Sequence, residues 1–568
     1  MSARALGRLL VTWVLATAVA CVVVHRAFAL DVDEAQPREV IASVWREGRV
    51  VARAVVTRAG EHAASLDEAA SASGATLVYE SVVAEGPVVV WPEAALSLSF
   101  VPGRDGLSAT FAGRTTYVTP DDLLAKQAYD HGITLSSMQI TTGLDLPLAL
   151  AAATEALGVS ARDLLEHGVL RRIRVTRTVA GASVPRAITA DSLDASEVRR
   201  AAVAMGRYLA RGVDEDGRFR YLVNAPTNQT LPGYDWPRHA GATYFVAQIA
   251  GLTGDADVGF AALRAGALLR DHALLHCGDL RCIGEEDSPV ADVGSTALAV
   301  LAFVELARTH LDDGYALLVP ELTAFLRAQQ RADGELMHLY DRRAKRPVDV
   351  QLLYYSGEAA FALSRAHGLL GDARDLAAAV RALEHLIGPA WSFFGSQYYW
   401  GEEHWTCQAM DDLWDRAPAS TRETALEFCL GWQAYGRQLM YGPDDSPLDA
   451  DGAYGVGPIV TPHLTPVGSR SEAGLATLEA ARRAGRPGEE LAVLDRQMRR
   501  SLAMLLRHQL PGRAYLFVDP TAIDGAMPGS EVDWQLRIDY AQHTGSALVR
   551  WLALTPTPTS VSAPGDNK

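Results

Sequence analysis

A chain of 568 residues with 49% hydrophobic and 21% charged side chains has ordinary globular make-up and ample material for a large core, which excludes a fibrous or wholly disordered class. Its formal net charge of −16 excludes a general nucleic-acid binder, because the phosphate backbone would repel it; a local basic pocket for an acidic ligand stays possible.

Residues 1–30 read as a signal peptide or N-terminal anchor. Arg4 and Arg8 give a positive start, Leu9 to Val24 is apolar, and Ala27-Phe28-Ala29 sets small residues at a cleavage-like spacing. The apolar run is short against the roughly 20 residues of a membrane span. His25 and Arg26 interrupt the approach to the cut, and Ala18-Val19-Ala20-Cys21 faintly resembles a lipoprotein site. Cleavage, lipidation and an uncleaved anchor therefore all stay open. The expected location is the periplasm, the cell envelope or the exterior, with membrane contact only through this segment. Outside it remain Cys277, Cys282, Cys407 and Cys429, an even set that an oxidising compartment allows to pair. Cys277–Cys282 and Cys407–Cys429 are the expected bridges. Free buried thiols are the alternative, and the spacing argues against zinc.

Residues 31–185 read as an α+β domain of unknown role. Val40 to Thr57 suggests a hairpin turning at Glu47-Gly48, and Glu61 to Ala72 a helix. Val88 to Val101 and Gly106 to Val118 carry β-branched and aromatic runs. Pro120-Asp121-Asp122 opens a helix, with its acids at the positive helix end. Two helices are expected within 145–166. Leu170 to Val179 reads as a last strand whose Arg171, Arg172, Arg174 and Arg177 form a solvated face or, alternatively, a docking surface for an acidic partner.

From residue 192 to 553 the pattern repeats six times: an Ala/Leu-rich helix, a polar loop, and a second helix with a polar or aromatic head. The second-helix heads are Arg238-His239-Ala240-Gly241, Ala291-Asp292-Val293-Gly294, Tyr355-Ser356-Gly357-Glu358, Glu403-His404-Trp405-Thr406, Arg470-Ser471-Glu472-Ala473 and Arg537-Ile538-Asp539-Tyr540. Their spacing of about 50 to 70 residues is one helical hairpin per period. Preceding loops rhyme at Asp216-Gly217, Asp333-Gly334 and Asp451-Gly452. A lone hairpin cannot bury its apolar face, whereas neighbouring hairpins can. Six copies and a stop imply closure into a ring, a mainly α fold of the (α/α)6 toroid type. Residues 554–568 read as a disordered tail.

This rhythm resembles the six-hairpin glycosidase-like superfamily, which holds glycoside hydrolases, polysaccharide lyases and sugar epimerases of the N-acylglucosamine 2-epimerase and glucuronyl C5-epimerase groups. The resemblance is architectural and spans roughly 192–553; no one group's catalytic motif is present.

Ring closure would bring the second-helix heads to one mouth. Glu358, Glu472 and Asp539 are the general acid/base candidates, supported by His543 and Tyr540; Asp539 and His543, four residues apart, could hydrogen bond. Arg238, Arg470 and Arg537 would hold substrate charge, with His239, Asp292, Tyr355, Glu403, His404 and Trp405 completing a binding surface. Trp236, Trp400, Trp405 and Trp534 could stack on pyranose rings. Helix capping by itself also draws Asp and Glu to helix heads, which is the structural alternative for each residue. Met410-Asp411-Asp412-Leu413-Trp414-Asp415 spells a DDxxD run and reads as a helix surface, since no terpenoid-cyclase, Cys-Cys-His zinc, phosphate-loop or GxSxG signature accompanies it. The expectation is an exported protein that binds and processes a glycan, including an acidic one, as hydrolase, lyase or epimerase, without metal or cofactor. The alternative is a non-catalytic envelope scaffold or glycan receptor.

Overall fold

The computed structural model describes residues 39–57, 64–88, 100–129, 131–135, 138–180, 188–391, 404–445, 449–455 and 461–555. The expected leader, nearly all of the tail, most of the Val88 to Val101 segment, Trp400 and Glu403 lie outside the described residues.

In the first unit, β1 (Glu39–Arg46) and β2 (Arg49–Val56) form the expected hairpin, and Glu47 and Gly48 make the turn at φ 51° and 73°. There follow α1 (Ala64–Ala70), β3 (Thr76–Pro87), the hairpin of β4 (Asp105–Phe111) with β5 (Arg114–Val118), and α2 (Pro120–Ala125). A small hairpin of β6 (His131–Leu135) with β7 (Met138–Gly143), helices α3 (Leu146–Leu157) and α4 (Ala161–His167), and β8 (Val169–Val179) complete it. The main sheet runs β2-β1-β3-β8-β4-β5, antiparallel throughout. Helix α2 starts where the sequence suggests: Thr119 and Asp122 satisfy each other's backbone N–H in a capping box.

The arginines of β8 correct the expectation of a solvated face. As the last strand in sequence, β8 nevertheless inserts between β3 and β4, so its side chains meet buried carboxylates. Arg174 pairs with Asp105 at 2.7 Å and Arg177 with Asp121 at 2.5 Å, while Arg172 is itself buried near Asp105. Only Arg171, beside Glu85, keeps half its side chain in solvent. Glu80, opposite Arg177 on β3, is fully buried; burial first, then the neighbouring Asp121, pushes its carboxyl up to about 8. Ionised Glu80 therefore opposes folding. The penalty is absent below the ordinary value of 4.5, grows as pH rises, and is complete above about 8. Glu80→Gln should raise the melting temperature at pH 8 and leave it nearly unchanged at pH 4.5. An equal shift at both values would assign the effect to packing instead.

Among the described residues, the remainder is built on twelve α-helices in alternating order, joined by loops with short strand pairs. The outer set is α5 (Ala195–Arg211), α7 (Ala256–Leu268), α9 (Val319–Ala328), α11 (Ala373–Leu386), α13 (Ala419–Gln438) and α15 (Gly488–His508). The inner set is α6 (Trp236–Thr253), α8 (Val293–Arg308), α10 (Tyr355–Leu370), α12 (Trp405–Asp412), α14 (Leu464–Arg483) and α16 (Ile538–Leu554). Each inner helix packs on the next, and α16 packs back on α6, which closes the ring. Each outer helix bridges two consecutive inner ones, α5 spanning the seam between α16 and α6. The protein is thus an (α/α)6 toroid with an N-terminal β-rich part.

The sequence explains the layering. Every residue of α8 from Val293 to Ala307 is buried, as suits a helix surrounded on all sides, whereas α5 buries one stripe and exposes its arginines. Small residues let inner helices touch: Gly545 of α16 lies against the Phe245 ring of α6, and Gly468 of α14 against the backbone of His543 and Thr544. The rhyming loops are one repeated turn. Gly217, Gly334 and Gly452 hold left-handed φ of 89°, 92° and 91°, each against a backbone carbonyl of the following outer helix (Arg264, Arg381 and Arg500). Gly525, at φ 86° against the Ala204 carbonyl, repeats it in a fourth loop.

The first unit seats on the loop before α16. Tyr515 Oη donates to Asp121 Oδ2 at 2.7 Å, the Trp45 and Tyr515 rings lie 5.8 Å apart, and the Trp534 amide donates to Gln127 Oε1 at 2.8 Å. Both cysteine pairs are at bonding distance: Cys277–Cys282 staples a hairpin after α7, and Cys407–Cys429 ties α12 to α13. Closing the latter loop, of sequence separation 22, is worth about 3 kcal/mol in the chain-entropy account. Cys429→Ala should cost about that much in denaturant unfolding, and a loss below about 1 kcal/mol would show that the pair contributes little.

The Asp411 to Asp415 run also departs from expectation. Asp415 is exposed, but Asp411 is buried between Arg483 and Arg550, with Arg550 at 2.6 Å. Burial pushes the Asp411 carboxyl up to about 6 against the pull of those arginines. The run faces inward at Asp411 because Arg483 of α14 and Arg550 of α16 both reach it.

Candidate functional site

A crevice of about 690 Å³ opens where the inner-helix heads converge, and all six contribute to its wall. Asp235 and Arg238 come from α6, Asp292 from α8, Tyr354, Tyr355 and Glu358 from α10, and His404 and Trp405 from α12. Helix α14 presents Thr465, Pro466 and Ser469, and α16 presents Arg537, Asp539, Tyr540, Gln542 and His543.

Two acidic groups anchor the site differently. Asp539 accepts from Arg537 at 2.6 and 2.9 Å and from Arg238 Nε at 3.2 Å. Burial opposes its ionisation, but the hydrogen bonds and charge of Arg537 and Arg238 outweigh it and hold the carboxyl below the usual range. Such a carboxylate is a poor general acid and a good fixed negative charge. Glu472 sits behind the wall and accepts from His543 Nδ1 at 2.8 Å; its carboxyl is raised, by burial first, with His543 opposing. The His543 side chain keeps 14% of its surface open and Glu472 only 2%. His543 can therefore meet a ligand, while Glu472 can only orient it. With Nδ1 given to Glu472, Nε2 is left to face the crevice.

Around this pair the rings are close. His404 stands edge-on to His543 at 5.2 Å between centroids, Trp405 lies 6.0 Å from His543, and Tyr354 lies 5.5 Å from His404. Arg537 covers the Tyr540 ring at 4.7 Å, and burial pushes the Tyr540 hydroxyl up to about 12, so it stays protonated and can donate. Tyr354 holds φ 80°, a conformation costly for an aromatic residue, at the head of α10. Asp292 caps α8 through Ser295, and burial raises its carboxyl.

The structure brings Arg238, Asp292, Tyr355, Glu358, His404, Trp405, Arg537, Asp539, Tyr540 and His543 to this crevice. Three expected residues stand elsewhere. His239 is wholly buried, with Nδ1 on the Tyr234 hydroxyl and Nε2 on the Ala265 carbonyl, and burial pushes it down to about 4. Helix α14 begins at Leu464 rather than near Arg470, which sets Arg470 about 9 Å deeper along the axis. Arg470 packs there over the Tyr454 ring, 5.0 Å from its centroid. Glu472, on the same helix, lies beneath the wall. The expected Asp539–His543 hydrogen bond gives way to Asp539 with arginines and His543 with Glu472. Trp236 and Trp534 are core residues.

Asp235, Tyr354, Thr465, Ser469 and Gln542 line the crevice without having been singled out. Asp235 was findable: an Asp directly before Trp236-Pro237 is an N-cap signature, and it does cap α6 through the Arg238 amide.

Comparison with family models and with curated proteins returns no match. Solved structures that resemble the chain include a sugar epimerase from a ruminal bacterium, at 12% identity and TM-score 0.49, covering 64% of this chain and 99% of that one. A cellobiose 2-epimerase from Bacillus thermoamylovorans aligns at 10% identity and TM-score 0.48, covering 64% and 99%. An unsaturated glucuronyl hydrolase specific for heparin aligns at 12% identity and TM-score 0.42, covering 64% and 98%. The ring assignment rests on the helix contacts themselves.

His404, Glu472 and His543 offer ligand atoms within 4.8 Å of one another, a set that fits a divalent cation if the His543–Glu472 hydrogen bond opens. In the arrangement described, that hydrogen bond is closed.

Proposed function

We propose that this is an exported protein that binds and processes a carbohydrate polymer in the crevice at the mouth of its toroid. One observation carries the reading: a reachable histidine, His543, backed by a shielded carboxylate, Glu472, inside a wall of arginines and aromatic rings. Glu472 fixes the orientation and tautomer of the imidazole, which suits proton transfer to and from a sugar. Arg537 and Arg238 supply positive charge where a sugar carboxylate or an enolate-like oxygen would sit, and their pairing with Asp539 pre-orients them. Protonated Tyr540 donates to a ring or glycosidic oxygen. Tyr355 offers an apolar face to a pyranose, with the buried Trp405 packed behind His404 and His543. This combination favours proton abstraction beside a carboxylate or carbonyl, the chemistry of epimerases and lyases, over two-carboxylate hydrolysis.

A second reading has its own observation. Asp539 is already paired and Asp292 already caps a helix, as in a receptor that holds a glycan without transforming it.

A glycan array followed by product analysis on the hits separates the two. Processing predicts bound acidic oligosaccharides that change on incubation, with exchange of a carbon-bound proton in deuterated water. Binding without any product favours the receptor. Turnover should survive chelation with EDTA. Loss on chelation with recovery on zinc addition would move His404, Glu472 and His543 from proton transfer to metal ligation.

A further inference from the structure

A second hollow, of about 760 Å³, lies between the end of α5 and the loop leading into α6. In a chain of net charge −16, three guanidinium groups converge on it, from Arg211, Arg218 and Arg220, with Asp214 as the one lining carboxylate. From this geometry we infer that the hollow is a subsite for an acidic sugar residue, one bearing a carboxylate or a sulfate ester. The inference rests on the glycan reading of the crevice and extends it to a ligand long enough to occupy both places.

The three arginines are not alike. Arg220 is built in: Nε donates to Thr230 Oγ1 at 2.8 Å, and its other nitrogens donate to Asn228. Arg211 is tied to the Asp524 carbonyl at 2.7 Å. Both are fixed charges. Arg218 is exposed and lies 4.3 Å above the Tyr234 ring, and among the described residues its guanidinium donates no hydrogen bond. Its donor fork is therefore available for two parallel bonds to a carboxylate or sulfate, held at a fixed height by the ring beneath.

The hollow adjoins the crevice through neighbouring, hydrogen-bonded residues. Tyr221 lines the hollow, and its hydroxyl donates at 2.8 Å to Asp235 Oδ2, which lines the crevice. Tyr234, the next residue before Asp235, also lines the hollow. A polymer lying over this Tyr221–Asp235 wall passes from His543 towards Arg218. A neutral sugar gains little from three guanidinium groups, whereas an acidic one gains charge-assisted bonds from Arg218 and the attraction of the fixed charges of Arg211 and Arg220.

The test uses D-glucuronate, inorganic sulfate and neutral D-glucose as probes, followed by ligand-observed NMR titration of the full chain. Wild-type protein should bind glucuronate or sulfate and not glucose. Arg218→Gln should weaken that binding at least tenfold with an unchanged melting temperature. Arg218→Lys should fall between them, because it keeps the charge and loses the fork. His543→Ala should leave monosaccharide binding intact. A preference for sulfate with the same Arg218 dependence assigns the acidic group as a sulfate ester. No binding of either anion, or binding indifferent to Arg218→Gln, overturns the subsite. Failure of the crevice reading is distinct: Arg218-dependent binding would persist while no array oligosaccharide depends on His543.

Discussion

His543→Ala is expected to slow turnover of the oligosaccharides that the array identifies by roughly 10²–10⁴-fold, the usual cost of losing a general acid or base. The variant should stay folded, which melting curves check, although Glu472 loses its hydrogen-bond partner. Glu472→Gln is the companion. It keeps the shape and removes the carboxylate that orients His543, so the rate should fall with the fold retained. A purely structural Glu472 would change stability without slowing turnover. If His543→Ala turns over glycan at the wild-type rate, proton transfer by this histidine is wrong.

The second large effect concerns stability. Asp411→Ala should destabilise the protein by about 3–5 kcal/mol, because it takes from the largely buried Arg550 and Arg483 their nearest counter-charge. Glu479, half-buried and 3.6 Å from Arg550, and Asp415, exposed and 3.5 Å from Arg483, are the weaker partners that remain among the described residues. Asp411→Asn should cost less, because it keeps hydrogen-bond acceptance toward the arginines and burial already opposes the ionised carboxylate there. Urea unfolding measures it. A loss under about 1 kcal/mol would return Asp411 to the status of a surface residue.

What was legible in the sequence follows from range. The toroid was legible because its signals are local and repeated: alternating helices, Asp-Gly turns such as Asp216-Gly217 and Asp451-Gly452, and small residues such as Gly545 on inner helices. The hairpin at Glu47-Gly48 and the start of α2 at Pro120 were legible for the same reason. Pairings between distant segments were not. Asp411 meets Arg550 across 139 residues, and Arg238 meets Asp539 across 301. Nothing within a window around either residue announces the other. Likewise β8 looks like a terminal, arginine-rich strand until the sheet order places it between β3 and β4. Helix register was the third obstacle. Six residues between Leu464 and Arg470 decide whether Arg470 stands at the mouth or in the wall, and Thr465-Pro466, the true head, carries no charge to attract notice. His239 and Arg238 are neighbours in sequence, yet one turns into the core and the other into the crevice, since adjacent residues on a helix point about 100° apart.

The central claim is that the glycan lies among the inner-helix heads. Amide hydrogen exchange with and without a bound array oligosaccharide tests it directly. The account predicts slowed exchange at the first turns of α6, α10, α12 and α16, around Arg238, Tyr355, Trp405 and Asp539, and no change on the outer helices. Protection confined to the outer helices or to the sheet of residues 39–179, with the heads unaffected, would contradict it.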